Sequence, residues 1–576
     1  MLSTYISGTD LLWLAAVKTQ NSNSNMINSR ISNFLASLVL LLVLMTSFSV
    51  YAQTIGPNRV LIRNVILFDP KGAGEDKVVN ILLRDNKLDL VTEDKISRDD
   101  ADMIVDAHEG LLMGKLQIGQ KPSFIIFAED PRENFEVLMD TFTYSVFAVN
   151  EGVVVKNRLV GVVADEPDEE PKKAGWLAYT PPPFMVPLNY EDTTKWNQFE
   201  TKYVNGIFVS ALVIDRMNWL SQDEGSDTQW GDLSFYDGGE IRGFRLGIIG
   251  TLNFDKPWVY TIFAATNAFD KGFEVRDKDD LTFFDYRLDI PFFKSSVMSV
   301  GKQKEPISMN RLTGGVFLPN QERAAISDAV LPSRNIGIVW SGFSAGRKTS
   351  WAFGAFNNWL EETESFDESA NQFIGRLTWA PLASEDKSNL LHVGAGYRYS
   401  DATQGFRYVT EPELNKGPDF VDTGFYQADK TQTYNVEMAW RRGPAMLVSE
   451  YSRAEVSNPA LGNPSFDGYY VEASWILTGE MRAYSNKGGV FGGIPVAKSV
   501  YQNGKGSWEL YTRYSDINLT DGAIDGGEMQ IATLGLNWWL TPIFSISMGY
   551  KYIWNEKGGE KGESSGLLTR LILVLE

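Results

Sequence analysis

Along Phe544-Ser-Ile-Ser-Met-Gly-Tyr-Lys-Tyr-Ile-Trp554 every even position is apolar or aromatic, and most odd positions are Ser, Gly or Lys. A period of two sorts these classes onto opposite faces of a strand, whereas a helix would smear them around its circumference. One face therefore meets an oily medium and the other meets water. The alternation recurs in 391–399, 434–441, 469–477 and 508–515, each time with a tyrosine or tryptophan near a strand end. Apolar positions against lipid, polar positions lining a lumen and aromatics at the two interfaces make the pattern of a transmembrane β-barrel. The expected fold class is all-β, and an aqueous lumen makes solute passage the first functional expectation.

The rest of the composition removes other classes. With 53 Lys and Arg against 73 Asp and Glu, the 576-residue chain has a formal charge of −20, and a nucleic-acid partner is excluded for want of a basic face. The absence of Cys excludes a disulfide framework, a thiolate metal site and a lipoprotein anchor. The one long apolar run, 34–50, follows Arg30 and ends in Val50-Tyr51-Ala52, the order of a signal peptide cleaved before Gln53. Residues 1–52 are thus expected to be a leader, with Met26 as the true start. A short membrane anchor is the alternative, since the run has about 17 residues and a spanning helix needs roughly 20. No other stretch reaches spanning length, which excludes a protein with several helical spans but not a barrel.

Residues 53–162 form a separate unit of short Val/Ile/Leu strands, and 163–200 is an acidic, proline-rich linker that includes Pro181-Pro-Pro183. Asn58-Arg-Val-Leu-Ile-Arg-Asn-Val65, Asn80-Ile-Leu-Leu-Arg-Asp-Asn-Lys-Leu88 and Ile104-Val-Asp-Ala-His-Glu-Gly110 resemble the opening strands of the metal-dependent amidohydrolase superfamily. The stretch from Gly114 to Phe124, Asp130-Pro131 and Val146-Phe-Ala-Val-Asn-Glu-Gly-Val-Val154 resemble its closing strands. The resemblance implies a small β-sandwich, but Leu112-Met113 joins its two parts directly, where the family inserts its catalytic barrel. Hydrolytic zinc takes three protein ligands, His most often. The two histidines, His108 and His392, fall in different domains, and no HxH or HExxH motif exists. No metal, no cofactor and no catalytic site is expected.

From residue 201 to 576 the pattern predicts sixteen strands, at about 203–218, 241–254, 257–266, 281–290, 295–304, 335–344, 349–357, 371–380, 389–400, 431–441, 445–453, 468–478, 507–517, 529–540, 543–554 and 565–575. An even number suits an antiparallel outer-membrane barrel with tight turns on the periplasmic side and long loops outside. The connection 479–506 breaks that rule, being long on the side of short turns. Gly301-Lys-Gln-Lys-Glu-Pro306, Gln321-Glu-Arg-Ala324, Leu477-Thr-Gly-Glu480, Ser507-Trp-Glu-Leu-Tyr-Thr-Arg-Tyr-Ser515 and Gly535-Leu-Asn-Trp-Trp-Leu-Thr-Pro542 resemble, in order, segments of the phosphate-selective porin O and P family. The resemblance spans most of 200–576. It implies a homotrimeric sixteen-stranded porin in outer-membrane lipid, passing phosphate, other anions or small hydrophilic solutes. The N-terminal unit would then lie in the periplasm of a Gram-negative bacterium. The alternative is an outer-membrane anchor that presents this unit as a binding module.

Anion preference requires cations that converge where the lumen narrows and replace lost water. The period-2 reading turns Arg245, Arg287, Arg376, Arg398, Arg441, Arg513 and Arg570 inward, together with Asp285, Asp289, Glu437, Glu450, Glu472 and Glu509. Such a mixed lining serves either selectivity or cross-strand pairing. The long third loop is the expected constriction, with Lys304, Arg311, Arg323 and Arg334 as its candidate cations. Its Glu322-Arg323 pair serves equally as a brace. His392 is placed on the lumen face, where a lone His is most often a wall hydrogen bonder.

Overall fold

The computed structural model describes residues 59–67, 77–96, 101, 103–127, 130–131, 138, 145–157 and 197–575. The last span omits 255, 267–281, 294, 345–347, 358–370, 384–388, 403–404, 486, 498 and 503. The expected leader, the start at Met26 and nearly all of the expected linker lie outside the described residues.

The N-terminal unit is a seven-stranded sheet made of β1 (Arg59–Leu67), β2 (Val78–Arg84), β3 (Lys87–Thr92), β4 (Met103–Lys115), β5 (Ser123–Phe127), β6 (Ser145–Asn150) and β7 (Val153–Asn157). The spatial order is β3-β2-β1-β4-β5-β6-β7, and the β1–β4 pairing is parallel. Two hairpins close through two-residue turns with both central residues left-handed: Asp85-Asn86 (φ 51 and 63) and Glu151-Gly152 (φ 48 and 78). That geometry matches the right-handed twist of the flanking strands. Ile62, Ile81 and Val105 share one apolar cluster with Phe124, Ile126, Phe147 and Val149, so the sheet curls until its two ends enclose a common core. The sequence reading expected a sandwich; a single curled sheet encloses the core instead. Its opening and closing halves are joined by one strand, β4, which runs through Leu112 and Met113 and pairs with β1 on one side and β5 on the other.

The second unit begins with the three-residue β8 (Gln198–Glu200). Its wall opens with β9 (Val204–Gln222), β10 (Gly238–Leu252), β11 (Trp258–Thr266), β12 (Thr282–Phe293) and β13 (Ser296–Lys304), then β14 (Arg334–Phe343), β15 (Thr349–Asn357), β16 (Gln372–Ala383) and β17 (Asn389–Asp401). A two-residue hairpin, β18 (Val409–Thr410) and β19 (Val421–Asp422), precedes β20 (Lys430–Arg442), β21 (Ala445–Ser457) and β22 (Ser465–Ile476). A second, β23 (Tyr484–Ser485) and β24 (Val490–Phe491), precedes β25 (Ser507–Asp521), β26 (Ile524–Thr541), β27 (Phe544–Lys557) and β28 (Glu560–Leu575).

Sixteen of these strands form a closed antiparallel barrel, and all sixteen overlap the segments expected from the alternation. The ring closes where β28 pairs with β9 from Ser564↔Gln222 to Leu575↔Ser210, and β8 takes over the free stretch of β9 at Asn205–Ile207. Closure leaves no unpaired edge in the hydrocarbon, the requirement that restricts membrane-spanning sheets to barrels. None of the described helices is long and apolar enough to cross a membrane.

The two faces separate as the alternation demands. Leu246, Ile338, Phe353, Phe373, Val436, Leu534 and Met548 are exposed on the outside, while Ser547, Lys551 and Asn555 on the other face of β27 are buried. Aromatics collect at the rims. Trp508 and Trp538 stack at 4.8 Å near the short-turn rim, where both indole N–H groups donate to the Lys505 carbonyl. Tyr397 and Tyr434 (5.3 Å) and Tyr552 and Trp554 (4.8 Å) sit toward the long-loop rim. These are the girdles of a barrel in a bilayer.

Candidate pore constriction

Three segments fold into the lumen. The first is L3, residues 305–333 between β13 and β14, with short helices at Met309–Leu312 and Ala325–Val330. Ile307, Ala324, Ala325, Ile326, Val330 and Leu331 are all buried, which a loop on the outer surface could not achieve. Two wall carboxylates hold its first helix: Met309 N donates to Glu437 Oε2 and Asn310 N to Glu450 Oε1, both at 2.7 Å. They satisfy backbone donors that a helix start leaves open. The far end of L3 is fixed across the barrel. Glu322 pairs with Arg242 of β10 (3.0 Å) and with Arg570 of β28, and the Glu322 carbonyl accepts from Arg513 Nη1 (2.8 Å). Gln321 donates to the Leu568 carbonyl (2.9 Å), and Asn537 to that of Pro319 (2.8 Å). L3 therefore leaves the wall beside β13 and is fastened to β20 and β21 at one end and to β25–β28 and β10 at the other. Glycines in the wall allow so close an approach: a Cβ on Gly396 would lie 2.1 Å from the Ile307 carbonyl oxygen, and one on Gly549 2.6 Å from Gln321 Oε1.

The second segment is L5, residues 402–429 between β17 and β20. Leu414, Phe420 and Val421 are buried in one cluster with Ile517, Leu519, Met529, Ile531 and Ile553, inward apolar residues of β25–β27. Phe420 stacks on Trp230 (4.8 Å) and on Trp219 (5.8 Å). The third is the long connection 477–506. It turns inward from the short-turn side: Arg482 pairs with Glu509 (2.6 Å) and donates to the Phe317 carbonyl of L3 (2.5 Å). Arg376 donates to the carbonyls of Gly488 (2.7 Å) and Gly489 (2.9 Å), and Arg441 to that of Arg482. The connection is long because it reaches the middle of the lumen, not because it forms an external loop.

Apart from Arg570, already placed against Glu322, the cationic sequence candidates fall into three groups. Lys304, Arg311, Arg323 and Arg334 sew L3 to itself and to its base. Lys304 donates to the Arg311 carbonyl (2.6 Å), Arg311 pairs with Asp328 (3.1 Å), Arg323 donates to the carbonyls of Asn310 and Thr313, and Arg334 pairs with Asp285 (2.8 Å). Arg376, Arg398, Arg441 and Arg513 are buried; Arg376 pairs with Glu437, Arg398 with Glu305 (2.8 Å), and Arg513 with Glu472 (2.6 Å). Arg245 and Arg287 differ, with side chains 32% and 37% exposed. Arg245 lies over the Phe263 ring and 3.6 Å from Asp285, and Arg287 lies 3.0 Å from Asp289. His392 is buried between Glu437 (2.8 Å) and the Tyr484 hydroxyl (2.7 Å), as a wall hydrogen bonder should be.

The lumen is thus unequal around its circumference among the described residues. Inward charges of β20–β28 are covered by L3, L5 and the insertion, whereas Arg245 and Arg287 keep contact with solvent beside Asp285, Asp289, Lys304 and Arg334. On that side the Arg334 side chain is itself buried against Asp285 and Lys304 is held by L3 carbonyls, which leaves Arg245 and Arg287 as its open guanidiniums among the described residues. Sequence reasoning missed Arg242, because a register shift between Ile241 and Gly243 reverses the parity that had been counted from Arg245. It also passed over Lys551, although its odd position on β27 placed it inward, and Glu413 and Arg482, which lie in connections where no periodicity assigns a face.

A family profile for phosphate-selective porin O and P matches residues 222–574. Porin O of Pseudomonas aeruginosa is 28% identical over 250 residues, covering 37% of this chain and 55% of that protein. An uncharacterised protein of Caulobacter vibrioides is 27% identical over 320 residues, covering 52% of this chain and 60% of that one. The chain spans little more than half the length of these curated relatives. Among solved structures, the outer membrane channel DcaP of Acinetobacter baumannii aligns with TM-score 0.40 and 10% identity, over 66% of this chain and 99% of that one. An anion-selective porin from Comamonas acidovorans gives 0.39 and 12%, over 65% and 100%. The matched profile begins at residue 222 and lends nothing to the amidohydrolase resemblance of the N-terminal sheet.

Proposed function

Because the chain belongs to the phosphate-selective porin O and P family, we propose that it is an outer-membrane channel for passive diffusion of small hydrophilic solutes, preferring anions, with phosphate among them. The observation that carries this reading is the pair of solvent-exposed guanidiniums on the open side of the lumen, Arg245 and Arg287, with Asp285 beside Arg245 already engaged by the buried Arg334 side chain. An anion moving along β10–β13 exchanges part of its hydration for guanidinium N–H groups, which present two parallel donors to an oxygen pair. The neighbouring carboxylates keep each Arg from holding the ion too tightly to release it. Wall ion pairs elsewhere hold L3, L5 and the insertion in place, and no covalent step is involved. A homotrimer in outer-membrane lipid, with the curled sheet on the periplasmic side, fits the family resemblance.

The test is the reversal potential of purified protein in planar bilayers under a KCl gradient. The expected sign is that of chloride permeability, reduced when Arg245 and Arg287 are both replaced by Ala. Cation-selective current would refute the preference. Absence of any conductance would favour a barrel that only anchors the N-terminal sheet.

A further inference from the structure

Most buried carboxylates of the lumen belong to wall strands or to L3, but Glu413 reaches in from L5. Its Oε1 accepts from Ser515 Oγ (2.6 Å) and from the backbone N–H of Ala325 (3.0 Å). Its Oε2 accepts from Asn320 Nδ2 (3.1 Å) and Arg513 Nη1 (3.3 Å) and lies 3.8 Å from Lys551 Nζ. Donors from L3, β25 and β27 thus converge on one pair of oxygens, and every contributing side chain is buried. A guanidinium, an ammonium, a hydroxyl, a carboxamide and a backbone N–H make a donor set suited to an oxoanion.

The occupant is strained and the charge count makes it replaceable. Glu413 has φ 54, a left-handed conformation that is uncommon for a residue with a Cβ and that marks positions held by their surroundings. Arg513 is balanced by Glu472 at 2.6 Å, whereas the ion partner of Lys551 is Glu413 itself. Once the Glu413 carboxylate leaves, Lys551 loses its nearest anion and keeps only the Asn320 carboxamide oxygen (2.9 Å) within hydrogen-bond reach, which favours entry of another anion.

We propose that Arg513, Lys551, Ser515 and Asn320 form an oxoanion site filled by the chain's own Glu413, and that a phosphate-like ion takes this place when the side chain withdraws. Glu413 then acts as a tethered competitor: solute affinity at the site equals that of the empty cradle, reduced by the fraction of time the carboxylate is seated. The inference rests on the anion-passing reading above, and the two fail separately.

The experiment titrates inorganic phosphate against chloride current through single channels of the whole protein, a readout of the cradle because the displaced Glu413 carboxylate turns out into the conducting lumen. Glu413→Gln, similar in shape but uncharged, should lower the half-blocking phosphate concentration several-fold, and adding Lys551→Met should abolish that gain. Glu413→Asp, one methylene short of the cradle, should shift it by an intermediate amount and serves as the second variant if Glu413→Gln does not assemble. An unchanged half-block in these Glu413 variants, or a gain that survives Lys551→Met, overturns the proposal. Noisier current without a shifted half-block marks a purely structural fastening and overturns it too. A wild-type channel that is cation-selective overturns the functional reading instead.

Discussion

Replacing Glu322 with Met should unfasten L3 and lower barrel stability by roughly 3–5 kcal/mol, the cost of leaving a buried charge without its partner. The buried Arg242 guanidinium faces the Glu322 carboxylate with two parallel bonds, Nε to Oε1 and Nη2 to Oε2, both at 3.0 Å. Arg570 shares Oε1 but retains Asp215 at 2.7 Å through two nitrogens, so it tolerates the loss better. The charge most affected is that of Arg242, which loses both of these bonds. Making Arg242→Met in addition should recover most of the deficit, since a buried ion pair and an apolar pair of similar volume are often close in energy. The measurement is the urea midpoint of refolded protein in micelles, compared across wild type, Glu322→Met and the double variant. A single variant as stable as wild type would remove the fastening role. In bilayers the single variant should also show flickering current, because at the β10–β28 side L3 is then held by backbone and carboxamide bonds alone while Glu437 and Glu450 keep the other end.

The second large effect belongs to the insertion on the short-turn side. Replacing residues 484–491 by a Gly-Ser link removes the β23–β24 hairpin and the Gly488 and Gly489 carbonyls that Arg376 engages. Conductance should rise several-fold, since a segment in the middle of the lumen has gone. Anion preference should rise with it, because Arg376 Nη1 then turns to water while Nη2 stays on Glu437, a carboxylate already shared with His392 and the Met309 N–H. Unchanged conductance would mean that the insertion does not obstruct the path.

The wall was legible because the membrane imposes one rule over every strand: apolar outward, polar or small inward. That rule holds from Val204 to Leu575 strongly enough to place all sixteen strands. It fails at a single extra residue, as the bulge at Ile241 and Gly243 turns Arg242 inward against the expected parity. The contents of the lumen were less legible. Ile326, Val330 and Phe420 are apolar residues in connections, and the sequence does not say whether they pack on the outer rim or against Ile517 and Ile553 inside. The insertion was opaque for a different reason, since Arg376 and Arg441 hold it by backbone carbonyls, which carry no residue signature. The N-terminal sheet was misjudged as a sandwich because the pairing that makes it continuous, parallel β1–β4, joins strands far apart in sequence.

The central claim is that solutes pass along the β10–β13 side of the lumen while L3, L5 and the insertion fill the rest. The chain contains no cysteine, so single substitutions report access without background. Arg287→Cys on the open side and Ser547→Cys beneath Gln321 of L3 are treated with a charged thiol-reactive reagent during single-channel recording. The account predicts rapid modification and reduced current for Arg287→Cys, with Ser547→Cys unreactive. Rapid modification of Ser547→Cys with an inert Arg287→Cys would contradict it.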